Sequence, residues 1–415
     1  MSLNIDAIRA QFPSLHQEID GKQAIFLDNP AGTQVPKQVM DAVTDYYMTK
    51  NANQGGVFPT SIATDVVQKD ARAWMADMIC APKADEIVFG PSMTQLNFNL
   101  SRSLAKTIPE DSEIVLTRMD HDANVSPWLT IAEDNDWTVH WVDFDPELGT
   151  LDLDSLGAAL NEKTQVVAAV HASNALGTIN PVKQIAEMAH SVDSLFVMDA
   201  VQSAPHVPID VTEIGCDILL CSAYKFFGPH IGVMWGRYDL LESLPSYKVR
   251  PSKDVTPYRW EHGTPSFETL AGVSAAVEYM ASLAPEDAPA VNGYEGRQLQ
   301  LKQAFGELQA YETALATKLI EGLSAINGVT IAGITEMDKM ENRVATVIFV
   351  KDGHAPIDIV THLAEQGIYA WSGDYYAVEV MKRLGREENG MVRVGAVHYN
   401  TMDELDTLLN VIDAL

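Results

Sequence analysis

Two residues in the middle of the chain carry reactive groups where a fold can bring them together. Asp199 follows the apolar run Leu195–Met198, and Lys225 follows Asp217–Cys221 within Ser222-Ala223-Tyr224-Lys225-Phe226-Phe227-Gly228-Pro229. A lysine amine beside a carboxylate-bearing pocket can form a Schiff base with an aldehyde. Taken singly, each has a plainer use: a lysine on a surface, an aspartate capping a helix. Other polar groups also follow apolar runs. His121 comes after Glu113–Leu116, Asn174 after Val166–Val170, and Ser92-Met93-Thr94 after Ile87–Phe89 at a helix start.

These groups match the needs of one cofactor. Pyridoxal phosphate takes from a protein a lysine for its aldehyde, an aspartate for its pyridinium nitrogen, a phosphate cradle and a ring-stacking group. Lys225 and Asp199 supply the first two. The Ser92–Thr94 turn offers backbone amides at a helix N-terminus, joined by the Ser222 hydroxyl. That turn is also readable as plain N-capping, and His121 as a satisfied polar core residue.

Elements must position these groups. From about Glu86 to Trp235, seven short Val-, Ile- and Leu-rich runs alternate with helical stretches such as Thr94–Ala105, Leu153–Leu160 and Pro181–Ser191. The runs are Ile87–Phe89, Glu113–Leu116, Thr138–Val142, Val166–Val170, Leu195–Met198, Asp217–Cys221 and Gly232–Trp235. Nearly continuous apolar strands are those buried on both faces, so the pattern predicts a mostly parallel α/β sheet covered by helices. Ligands bind at the strand ends of such sheets. The first 85 or so residues read as helices and loops wrapping that domain, and Ser246–Glu268 as an ordered loop. Past Gly293, a long helix over Arg297–Leu323 leads into strands at Val344–Val350, Gly367–Trp371 and Met391–Gly395. Helices at Ile357–Glu365 and Met402–Ile412 complete a small α+β unit. The expected division is an N-terminal segment 1–20, a large domain 21–292 and a small C-terminal domain 293–415.

Composition narrows the function classes. The 415 residues are 47% hydrophobic, enough for a large core. With 28 Lys+Arg against 57 Asp+Glu, the net charge is −29. Such a surface repels phosphate backbones and anionic lipid, so no nucleic-acid partner and no membrane is expected. Charges near the N-terminus and the lack of a long apolar stretch argue against a signal peptide or membrane span. Three cysteines, Cys80, Cys216 and Cys221, suit a reducing compartment, and a cytoplasmic location is expected. No H-E-x-x-H and no paired-cysteine motif occurs, so no metal site is expected. Nicotinamide and nucleotide chemistry is disfavoured by the absence of G-x-G-x-x-G after the first sheet strand and of a P-loop.

Several longer runs, taken together, resemble the class V aminotransferase family of fold-type I pyridoxal-phosphate enzymes, in its cysteine desulfurase-like branch. They are Phe26-Leu27-Asp28-Asn29-Pro30-Ala31-Gly32, His121-Asp122-Ala123-Asn124-Val125-Ser126-Pro127-Trp128, His171-Ala172-Ser173-Asn174-Ala175-Leu176-Gly177 and Asp199-Ala200-Val201-Gln202-Ser203-Ala204-Pro205. The run around Lys225, His262-Gly263-Thr264-Pro265 and Val392-Arg393 continue the match. The resemblance implies the fold-type I transferase architecture: a mostly parallel seven-stranded sheet in a large domain plus a small C-terminal α+β domain. It implies catalytic roles for Lys225 as Schiff-base lysine, Asp199 as pyridinium partner and His121 as ring-stacking group. Asn174 and Gln202 match residues near the phenolic oxygen, and Ser222 and the Met93-Thr94 backbone match phosphate ligands. Gly263 and Thr264 match a segment that reaches the neighbouring subunit's phosphate, implying a homodimer with shared active sites. Arg393 matches the arginine that grips a substrate carboxylate, so an amino acid is the expected substrate.

The chain departs from that branch where sulfur chemistry needs it most. Desulfurases carry a nucleophilic cysteine on a loop before the arginine. Here the stretch is Trp371-Ser372-Gly373-Asp374-Tyr375-Tyr376-Ala377, with Tyr376 at the cysteine position and Trp371 at an arginine position. A phenol cannot accept a sulfane sulfur as a persulfide. Tyr224 stands where a histidine precedes the lysine, and Asn53-Gln54-Gly55-Gly56 occupies another histidine region. Trp371, Tyr376 and Gln54 are therefore candidate substrate contacts alongside Arg393 and Asn174. The aromatics equally suit packing at a domain interface, and Asp374 either meets a cationic substrate group or is solvated. The expected function is pyridoxal-phosphate chemistry on an amino acid by transaminase, lyase or epimerase routes. The alternatives are a cysteine desulfurase or selenocysteine lyase with an atypical or absent cysteine nucleophile, and a non-catalytic cofactor-binding dimer.

Overall fold

The computed structural model describes residues 3–415. Its centre is a seven-stranded sheet of β1 (Ile87–Gly90), β2 (Glu113–Thr117), β3 (Thr138–Val142), β4 (Thr164–Val170), β5 (Leu195–Asp199), β6 (Ile218–Ser222) and β7 (Gly232–Gly236). The spatial order is β1-β7-β6-β5-β4-β2-β3. Pairing is parallel from β6 through β3, and only β7 runs against its two neighbours. The predicted strands are thus present, each within a residue or two of its expected bounds. Their continuous hydrophobicity reflects burial on both faces: in β5 and β6 every residue except Leu195 is buried.

Helices cover both faces. Early helices α1 (Lys37–Thr49) and α2 (Pro59–Met78) wrap one side, and α3 (Met93–Leu104) follows β1 directly. Ser92 caps α3 by accepting the Gln95 N–H at 3.2 Å. The start of α3 lies hard against β7: a Cβ at Gly232 would come 2.2 Å from the Ser92 carbonyl carbon, so this turn needs glycine beneath it.

Two further helices, α4 (Phe267–Ala281) and the 30-residue α5 (Gly296–Ala325), lead to a second sheet. α5 places Leu301, Phe305 and Leu308 in the large core and Leu315, Leu319 and Leu323 in the smaller one. The second sheet has four strands rather than the three expected: β8 (Val329–Ala332), β9 (Thr346–Lys351), β10 (Trp371–Gly373) and β11 (Met391–Gly395), in order β8-β9-β11-β10. β8 escapes a sequence reading because it is an edge strand with only Ala332 buried. The expected single strand Gly367–Trp371 is split. Ile368–Tyr369 pairs in parallel with Ile25–Phe26, and Trp371–Gly373 pairs antiparallel with β11. This split hands the following loop across to the strand ends of the large sheet. Helices α6 (Pro356–Glu365) and α7 (Met402–Asp413) pack on the small sheet. Among the described residues, no helix is long and apolar enough to cross a membrane.

Candidate active site

The carboxyl ends of the parallel strands converge on one cavity. β5 ends on Asp199, β6 ends on Ser222, and a short turn over Ala223–Lys225 then carries the lysine. The segments after β2 and β4 bring His121 and Asn174, and the start of α3 brings Met93 and Thr94. With Gln202 and Tyr224, these nine predicted cofactor residues line a single cavity. His121, Asn174, Tyr224 and Lys225 also line an adjoining one that contains Trp371, Tyr376 and Arg393. Three predicted residues lie elsewhere. Gly263 and Thr264 are exposed and line a separate cavity with Gln95, Asn99 and His262. Gln54, also exposed, shares a third cavity with Gly263.

Burial tunes the groups at the centre. Asp199 accepts the Val201 N–H at 2.8 Å and is 2% exposed. Burial raises its carboxyl to about 6, against the Val201 N–H and the Lys225 charge, which lower it. Lys225 Nζ donates to the Pro30 carbonyl. Burial and then the Arg393 charge bring its amine down to about 7, while Asp199 and Asp28 pull the other way. A lysine so placed is poised to exchange a proton near neutral pH. The His121 Nδ1 accepts the Ala123 N–H at 3.0 Å, which leaves the neutral ring's proton on Nε2. Burial, Lys225 and Arg393 hold that imidazole down at about 4, so it is uncharged.

Arg393, on β11, is fully enclosed. Its Nη1 donates to the Asn174 carbonyl at 2.9 Å, and its guanidinium lies 4.2 Å from the Tyr375 ring centroid. Burial lowers it to about 10, so it remains a cation at neutral pH. Its Nε has no hydrogen-bond partner among the described residues, and neither do Asn174 Oδ1 and Gln202 Oε1. Three buried polar atoms on the walls of two joined cavities await a ligand, because such atoms are costly to leave unpaired.

β10 and the turn that follows it, together Trp371–Ala377, close the outer cavity. Tyr375 and Tyr376 have φ of +55° and +57°, a left-handed conformation uncommon for any residue but glycine. Asp374 accepts the Tyr376 N–H at 2.9 Å, and the Tyr376 carbonyl accepts the Asp122 N–H at 2.7 Å. The Tyr376 ring stacks on His121 at 5.4 Å between centroids, with 28° between planes. Trp371 and Tyr376 are 53% and 69% exposed. Of the two uses open to these aromatics, both line the pocket, and Tyr375 is the one that packs inward, its hydroxyl bonded to the Met391 carbonyl.

Sequence reasoning missed several groups here. Asp28 faces the Lys225 and Arg393 charges, and its carboxyl is raised chiefly by burial. Asp120, behind His121, is raised to about 8 by burial and holds Asn124 at 2.7 Å. His206, Glu312 and His398 form a buried network behind Gln202. Asp28 lies inside a run already singled out, and Asp120 and His206 each adjoin one, so adjacency was the available signal.

The donor set fits a planar, anionic aldehyde with a basic ring nitrogen: a low-pKa amine, a buried carboxylate, a helix start, and unpaired amide oxygens. Comparison with known proteins agrees. The aminotransferase class V family model matches residues 25–408. A probable cysteine desulfurase of Streptomyces coelicolor is 32% identical over 98% of this chain and 96% of its own length. The aminotransferase-like protein FGM3 of Gibberella zeae is 34% identical over 98% and 97%. Among solved structures, a cysteine desulfurase from Thermococcus onnurineus superposes with a TM-score of 0.87 at 27% identity, covering 100% of this chain and 98% of that one. A cysteine desulfurase from Escherichia coli gives 0.83 at 25%, covering 100% and 98%.

Proposed function

We propose, from the premise that this chain belongs to the class V aminotransferase family and is a pyridoxal-phosphate-dependent enzyme, that it transforms an amino acid without holding sulfur on a thiol of its own. The observation that carries this reading is the pairing of a complete wall of strand-end groups with a loop that has no thiol. Pyridoxal phosphate, when bound, supplies a sink for the electron pair left on the substrate's α-carbon. Lys225 would hold the aldehyde carbon before substrate arrives and then move the α-proton, for which an amine near neutral pKa is suited. Asp199 would keep the ring nitrogen protonated, and neutral His121 would stack on the ring. The start of α3 and Ser222 would take the phosphate. Asn174 and Gln202 would meet the phenolic oxygen, and Arg393 would fork onto the substrate carboxylate.

The cysteines support the sulfur-free half of the reading. All three are buried in the core. Burial pushes the Cys80 thiol up to about 11, and Cys216 and Cys221 further up still. A neutral buried thiol is a poor nucleophile. A second reading, direct release of sulfide or selenide, is favoured by the retained carboxylate arginine and by relatives named cysteine desulfurases.

The enzyme works as a dimer in the cytoplasm in this proposal. Gln54, Gly263 and Thr264 lie outside the Lys225 cavity, and beside them Val57, Phe58, Ile62 and Val66 are apolar and exposed. A second copy covering that face would bring Gly263 and Thr264 to its own phosphate site.

The test is a visible-absorption screen of the cofactor-loaded protein against amino acids, with product identification for each response. A substrate that shifts the spectrum and yields a keto acid, an eliminated product or the other enantiomer supports the first reading. Sulfide from cysteine or selenide from selenocysteine supports the second. A panel that leaves the spectrum unmoved overturns both and leaves a binding protein.

A further inference from the structure

Behind the cofactor pocket runs a chain of buried polar groups that no step above uses. His206 lies four residues after Gln202. Its Nε2 sits 3.2 Å from Gln202 Nε2, and its Nδ1 sits 2.6 Å from Glu312 Oε2. Glu312, on α5, accepts the His398 backbone N–H at 3.0 Å with its other oxygen. The His398 ring meets the Tyr279 hydroxyl of α4 at 2.6 Å. All of these residues are at most 5% exposed.

Proton counting fixes the direction of each bond. The Glu312 carboxylate only accepts, so His206 Nδ1 must donate to it. A neutral His206 then shows a lone pair at Nε2, and only the Gln202 NH2 group can face it. The same NH2 is 3.2 Å from Thr346 Oγ1, which holds the amide from a second side. Gln202 Oε1 is thereby the end left without a partner. Were His206 doubly protonated, Nε2 would donate instead, the amide would turn, and the NH2 group would be free. Which end of the Gln202 amide the pocket receives is therefore decided by a residue that does not line it. Burial alone would raise Glu312, but His206 and His398 hold it below its usual value, so it stays the anion that this logic needs. Burial keeps His398 below the usual histidine range despite the Glu312 charge. The titratable groups facing His206 are thus Glu312 and, beyond it, His398 and Tyr279.

We infer that His206, anchored by Glu312, is a positioning residue: it sets the orientation of the Gln202 amide and so whether that amide accepts from or donates to the polar edge of the bound cofactor. This rests on the functional reading above, because it needs pyridoxal phosphate against Gln202.

The experiment loads full-length wild type, His206→Gln, Glu312→Gln and Gln202→Ala with pyridoxal phosphate. It records the pH midpoint of the visible absorption band, the cofactor dissociation constant and the melting temperature. The expected result is a midpoint shift of about one pH unit in His206→Gln and Glu312→Gln, in the same direction as in Gln202→Ala. Adding Gln202→Ala to His206→Gln should then shift it little further, because the histidine acts through the glutamine. A merely structural role would lower the melting temperature and leave the midpoint where it is, and that outcome overturns the inference. Should His206→Gln not fold, Glu312→Gln keeps the side chain's shape, and an unmoved midpoint there overturns it equally. A wild type that develops no band on adding pyridoxal phosphate overturns the functional reading and this inference together. A normal wild-type band that both variants leave alone overturns this inference only.

Discussion

The two walls of the pocket are built in opposite ways. The inner wall hangs on the ends of β4, β5 and β6, with Asp199, Ser222 and Asn174 all buried and Asp199 tied to backbone. The outer wall is the segment Trp371–Ala377, with two consecutive tyrosines in left-handed conformation; Tyr375 packs inward, and the Trp371 and Tyr376 rings lie mostly in solvent. A strand end in a parallel sheet has few alternative positions, so it can hold a proton-transfer group to within the tolerance that chemistry demands. A loop pinned by single backbone bonds, such as Asp122 N–H to the Tyr376 carbonyl, can change its side chains without disturbing the sheet. The inner wall therefore sets which chemistry is available, and the outer wall sets what it is applied to.

If that division holds, the largest loss comes from the inner wall. Lys225→Ala should lower turnover by about 10²- to 10⁴-fold, the usual span for a positioned acid–base group. It should also abolish the visible band of the loaded protein, with the fold kept by circular dichroism. A band that survived in this variant would move the lysine's role elsewhere. Arg393→Lys tests the joint between the walls. It keeps the charge and loses the fork, so kcat/KM should fall by about 10- to 100-fold, the value of one hydrogen bond to a charged group. The loss should appear mainly in KM, read from steady-state kinetics with the substrate found by screening.

The inner wall also makes a pH prediction. Lys225 lies at about 7, lowered from the ordinary lysine value by burial and by Arg393. Below that pH the amine is protonated and cannot attack an aldehyde; above it the amine is free. The rate at which the apoprotein takes up pyridoxal phosphate should therefore rise with pH through a midpoint near 7 rather than near 10. Stopped-flow absorbance at constant ionic strength measures this. A midpoint in the ordinary lysine range would mean that the amine is solvated and the inner wall less closed than its burial indicates.

How much of this was legible in the sequence follows the same division. The seven strands show because each is apolar on both faces, and the groups after them show because reactive residues follow apolar runs. Nine predicted cofactor residues meet in one cavity for that reason. The small sheet is less legible. β8 buries only Ala332, and a polar edge strand leaves no periodic signal. The split at Ala370, where the chain leaves Ile25–Phe26 for β11, depends on a partner more than 340 residues away in sequence. His206 stands next to the run Asp199–Pro205, but its meaning depends on Glu312, 106 residues further on. Patterns within a few residues are visible in one sequence, and pairings across the chain are not.

The smallest expected effect is also the sharpest test of the division. Tyr376→Gly removes a ring that is 69% exposed and keeps both backbone bonds that anchor the loop, to Asp374 and Asp122. Two stability terms oppose each other. Glycine relieves a left-handed residue, worth about 1 kcal/mol. The lost stacking on His121 removes a similar about 0.5–1.5 kcal/mol. Chemical denaturation should therefore show a net change within about 1 kcal/mol. If the loop only shapes the pocket, kcat should stay within about threefold and KM should rise by less than about tenfold, as expected when binding contacts are removed uniformly. Substrate preference should broaden, because the ring that narrows the mouth is gone. A fall in kcat comparable to that of Lys225→Ala would break the comparison: the tyrosine would then take part in the reaction through His121, and the outer wall would belong to the chemistry as much as the inner one.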